Sequence, residues 1–129
     1  MTAARIFLLF DAFVLTVYAV GFFYDPALLG VLVDLELNGP NAYTEIFAFY
    51  GGLEIGIAAY LAWSALKTER VRPALVFFAF AFGAAGLART VGCLVYGFGD
   101  PAQPIVAGVE VGFALGALGL YRRIQHDVT

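Results

Sequence analysis

Four stretches of this chain are apolar for long enough to cross a bilayer, and short polar or proline-bearing breaks separate them. A bilayer core takes roughly 20 apolar residues per helix. Residues 3–24, 43–66 and 73–97 meet that length, and residues 104–121 form the shortest stretch. The pattern predicts an all-α fold: an integral membrane four-helix bundle in a single domain covering residues 1–129, arranged as two helical hairpins. All five prolines (Pro26, Pro40, Pro73, Pro101, Pro104) fall between these stretches or at their first residues, so no proline kink is expected. Asp25-Pro26 and Asp100-Pro101 read as an N-cap followed by proline at the first helical position. Asn41 is placed to cap the second span, with Glu45 favouring its dipole. The first stretch is longer than a signal-peptide core and reads as a retained anchor.

Composition sharpens this picture. Hydrophobic residues make up 62% of the chain and charged residues 13%, about half the usual share for a soluble domain, so a water-facing surface could not be built from it. With one cysteine (Cys93), one histidine (His126, in the polar tail) and one serine (Ser64), the chain lacks a disulfide framework, a thiolate or histidine metal cage, and a Ser–His triad. No cofactor is expected. No basic run suggests nucleic acid. The expected partners are the lipid bilayer and a second copy of the chain or another membrane protein.

Basic residues set the expected orientation. Arg5, Lys67, Arg70, Arg72, Arg122 and Arg123 lie at one end of the four spans, while the other connections carry Asp25, Asp34, Glu36 and Asp100. Both termini should face the cytoplasm. The long outer connection, residues 25–42, is rich in leucine and valine; a segment lying at the membrane interface is the favoured reading, over a lid on a cavity.

Span two contains Gly52-Leu53-Glu54-Ile55-Gly56 and span four Gly108-Val109-Glu110-Val111-Gly112. This match, with the looser one between residues 21–27 and 97–102, suggests an internal duplication of the hairpin as a parallel repeat. Gly52 and Gly56, and Gly108, Gly112 and Gly116, form small-residue ridges expected to let helices approach closely. Glu110 then points to the opposite side of its helix.

Ionisable groups inside spans are costly and mark function or a structural staple. Counted from the basic end at about 1.5 Å per residue, Glu54 lies about 18 Å up, Glu110 about 17 Å and Arg89 about 24 Å. Side chains lean toward the N-terminus of their own helix, which brings the three to one level. The expectation is a Glu54–Arg89–Glu110 cluster with the arginine bridging both carboxylates, one glutamate holding a proton or a cation occupying the site. Tyr50 lies one turn outward of Glu54, and Cys93 and Tyr96 share the outward face with Arg89; together they are candidates to line a half-polar cavity. Asp11, about 10 Å from the basic end, reads as an interface residue.

Tyr50-Gly51-Gly52-Leu53-Glu54-Ile55-Gly56, followed by Arg89, Asp100 and Glu110, resembles a small four-span bacterial inner-membrane family catalogued as a domain of unknown function. The resemblance covers nearly the whole chain and implies a four-helix protein of the bacterial inner membrane, with no activity attached. Three functions fit the residues. Binding or transport of a proton, a cation or a small amphipathic molecule ranks first. An accessory or scaffold subunit of a membrane complex ranks second. An enzyme using Glu54 or Glu110 as acid or base on a lipid-like substrate ranks third.

Overall fold

A computed structural model describes residues 1–33, 36–99 and 101–126; the expected cap at Asp100 and the acidic Asp34 lie outside the described residues. Helix α1 runs Thr2–Tyr24 and the short α2 Ala27–Val33. Helix α3, Pro40–Ile46, continues through a π-helical stretch, Phe47–Leu53, into α4, Glu54–Ala65. Helix α5 spans Thr68–Tyr96 and α6 Ala102–His126. Four of these units are long and apolar enough to cross a membrane: α1, the continuous rod Pro40–Ala65, α5 and α6. The all-α four-helix bundle expected from the hydropathy is the fold.

Local sequence explains the breaks. Asp25 Oδ1 accepts from the Ala27 amide at 3.0 Å, so the Asp-Pro pair starts α2 as the pattern predicts. Asn41 does not cap the second span. Gly39 holds that place at φ 87°, a left-handed conformation that glycine adopts without a Cβ penalty, and Pro40 opens the helix. Pro73 is also a correction. Helix α5 begins at Thr68, so this proline sits inside it, where it removes the donor that residue 69 would otherwise meet. The polar run from Thr68 to Arg72 hid this start, because hydropathy locates the apolar part of a helix and not its first turn.

The basic end is stitched together by side chains. Arg5 donates to Thr68 Oγ1 at 2.8 Å, the Arg70 guanidinium stacks on Trp63, and that of Arg72 faces Tyr121. Above it lies one core shared by all four spans, with Leu8, Leu15, Leu61, Leu75, Phe78 and Ala117 among its buried members. Phe7 meets Phe78 edge-on, and its ring centroid lies 5.9 Å from that of Phe113.

Asp11 is part of this core, not of the interface. It is 6% exposed, and its Oδ2 has no hydrogen-bond partner. Ala4, Leu8, Asp11, Leu15, Ala19 and Phe22 recur at helical spacing along the buried stripe of α1, which carries the carboxyl inward. An orphaned buried polar atom costs about 1–3 kcal/mol. Asp11→Ala is therefore expected to raise thermal stability by about that amount; a lower melting temperature would mean that the carboxyl has a stabilising partner.

The two hairpins part toward the other end. There α1 packs on the π-helical stretch, with Phe23 against Phe47, while Phe22, Leu29 and Ile46 form a small separate core under α2. Helix α5 packs closely along α6. The bundle is thus closed at its basic half and divided above it.

Candidate functional site

A cavity of about 660 Å³ lies between the divided hairpins. Tyr50, Leu53, Glu54 and Ile57 line it from the second span, and Ala81, Phe82, Ala85, Arg89 and Glu110 from α5 and α6. Ala81, Ala85 and Arg89 recur every four residues, so one face of α5 offers small side chains up to the arginine and leaves the volume open. Leu29, Glu36, Leu37 and Glu45 line the mouth. The segment after α1 therefore flanks the cavity as well as covering the ends of the first two spans.

Arg89 anchors the α5–α6 wall. Its Nε donates to Glu110 Oε2 at 3.0 Å and its Nη2 to Glu110 Oε1 at 2.9 Å, a two-pronged pair of the kind a guanidinium makes best. Its Nη1 donates to Gln103 Oε1 at 2.9 Å. Every guanidinium nitrogen is engaged. Gln103 was not anticipated, although it stands seven residues before Glu110, two turns along the same face of α6.

The backbones come close because of Gly86, one turn before Arg89. A Cβ there would lie 2.8 Å from Val111 Cγ2 and 3.0 Å from both Glu110 Cβ and the Val111 amide nitrogen. Of the glycines expected to pack helices, Gly116 does so, with Phe7 of α1 3.8 Å from where its Cβ would lie, and the others do not. Gly56, Gly108 and Gly112 have no other part of the protein within 4 Å of such a Cβ among the described residues, while Gly51 and Gly86 provide the tight contacts, Gly51 against the Phe23 ring. Glu110 does face away from the Gly108 and Gly112 side, as the spacing indicated.

Glu54 lies across the cavity from this pair. Its Oε2 is buried and has no hydrogen-bond partner. The three charged residues share one cavity, but Arg89 is joined to Glu110 and not to Glu54: among the described residues the ion pair here is Arg89–Glu110. Tyr50 lies on the cavity wall, its ring edge-on to Phe22. Tyr18, unremarked in the sequence, sits within electrostatic reach of Glu54, Arg89, Tyr50 and Glu110. Cys93 and Tyr96 do not join them. Cys93 is buried by a separate groove between α5 and α6, and Tyr96 is 91% exposed, because α5 turns their positions away from the cavity.

The π-helical stretch ends where Glu54 begins. Its wider turn shifts the face of everything beyond it, and such insertions gather at functional positions. The Gly51-Gly52 pair weakens the local preference for regular α-helix.

Four membrane-length helices around a polar-ended cavity define a multi-pass membrane protein. A model of the family described as a domain of unknown function, DUF4345, matches residues 3–121, and the chain belongs to that family. No curated protein and no solved structure matches the chain.

Proposed function

We propose that this protein binds a small amphipathic molecule in the cavity between its hairpins. The observation carrying this reading is the unpartnered Glu54 carboxylate at an otherwise largely apolar cavity. A concave apolar site with a few convergent polar groups is the usual form of a small-molecule site. The apolar walls suit a hydrocarbon body, and Glu54 is a hydrogen-bond acceptor for its polar end. In this reading Arg89 and Glu110 hold α5 to α6 and shape one wall. The basic residues around Arg5, Lys67 and Arg122 support an orientation with both termini cytoplasmic, so the mouth would open to the outer leaflet of a bacterial inner membrane.

A second reading, an accessory subunit or homo-oligomer, draws support from Gly108 and Gly112. Both lie on an exposed face of α6 with room for another helix. Native mass spectrometry of protein extracted gently from its host membrane separates the two. A co-purifying small molecule at one per chain is the expected result. A stoichiometric protein partner with no small molecule would overturn the binding reading in favour of the accessory role.

A further inference from the structure

Resting on the binding reading, we propose that the cavity selects a lipophilic ammonium: an organic cation whose apolar body lies between the hairpins and whose charged head meets Glu54. The charges on the walls point to this sign. Glu36, Glu45, Glu54 and Glu110 line the cavity, and Arg89 is the basic residue among them. Three of the five N–H donors of the arginine are held by Glu110 and Gln103, and its charge is balanced by the Glu110 carboxylate. An anionic head reaching the remaining N–H donors would meet the Glu110 carboxylate beside them and a charge that is already paired. A cationic head meets an acceptor that has no partner.

The surrounding groups fit the same head. Phe49, Tyr50 and Phe82 place aromatic rings on the cavity wall, and ring faces attract ammonium groups. Glu36 and Glu45 at the mouth add attraction for an approaching cation. A bare metal ion fits less well. Among the described residues no three histidine, cysteine, aspartate or glutamate side chains gather closely enough to hold one. The apolar walls would also have no role in binding it.

Three probes with the same hydrocarbon tail decide the matter: dodecylammonium, dodecanol and dodecanoate, titrated against the purified protein in nanodiscs, with melting followed through the thiol of Cys93. The ammonium should bind at least tenfold more tightly than the alcohol or the carboxylate, since a charge-assisted hydrogen bond is about twice as strong as a neutral one. Glu54→Gln should reduce the ammonium to the affinity of the alcohol. Equal binding of ammonium and alcohol would leave the amphipathic reading standing and overturn the cationic one. Tightest binding of dodecanoate would do the same and point to Arg89 as the receiving group. Failure of all three to bind would overturn both readings. Should Glu54→Gln not fold, the probe series on the unaltered protein still decides the sign of charge.

Discussion

Arg89→Ala is expected to destabilise the protein by about 2 kcal/mol, since it breaks a part-buried pair of charge-assisted hydrogen bonds. The loss follows from what is left behind. The Glu110 side chain is 15% exposed and would lose both of its donors, and Gln103 would lose the bond from Arg89 Nη1. Glu110→Gln should cost less, because Arg89 keeps Gln103 and the new amide oxygen still accepts one bond. The double variant Arg89→Ala, Glu110→Ala should be more stable than Arg89→Ala alone, since no charge is then stranded. Cys93 is buried, so a thiol-reactive fluorophore reports the melting of each variant. An Arg89→Ala protein as stable as the parent would mean that the pair does not hold α5 to α6.

Gly86→Leu should be as damaging by a different route. Even the Cβ meets Val111 Cγ2 at 2.8 Å and the Val111 backbone nitrogen at 3.0 Å, and backbone cannot rotate aside as a side-chain tip can. The helices must separate. Overpacking of this kind costs about 1–3 kcal/mol, and Gly86→Ala belongs at the low end of that range. Separation would also carry Glu110 away from Arg89, because Glu110 Cβ is among the atoms met. The leucine variant should therefore lose the staple as well as the packing. Gly108→Leu makes the contrast, because a Cβ there has no atom of the described protein within 4 Å and the site is exposed, and it should melt like the parent if the chain acts alone. Destabilisation of the assembly by Gly108→Leu would favour the accessory reading.

Much of this architecture is legible in the chain, for physical reasons. A membrane helix must satisfy its own backbone, so its length and apolarity announce it, and proline and glycine mark its ends. Charges inside such helices are too costly to be accidental, which is why Glu54, Arg89 and Glu110 drew notice and do line one cavity. The pairing among them was not legible. Depth along each span could be counted, but which carboxylate the arginine meets depends on helix separation, and that is set by Gly86 and by the π-helical stretch before Glu54. Hydropathy was equally blind to the divided upper half, because a wall facing a cavity is as apolar as one facing lipid. The glycine repeats misled for the same reason. A small residue permits close approach without saying whether a neighbour is there, and Gly108 has none where Gly86 has Val111. Asp11 shows the reverse case: its depth, about 10 Å from the basic end, argued for the interface, whereas its helical spacing with Leu8 and Leu15 puts it on the buried stripe of α1.

In the proposed binding role Glu54 receives a ligand while Arg89 and Glu110 hold the wall. Native mass spectra of the parent and of Glu54→Gln, both extracted from the host membrane, test it most directly. A small molecule should be bound to the parent and lost from the variant, and once the parent is freed of that molecule the two should melt alike through Cys93, since no hydrogen bond to the Glu54 Oε2 is broken. A variant that keeps the same bound mass, or a Glu54→Gln protein destabilised as Arg89→Ala is expected to be, would contradict it.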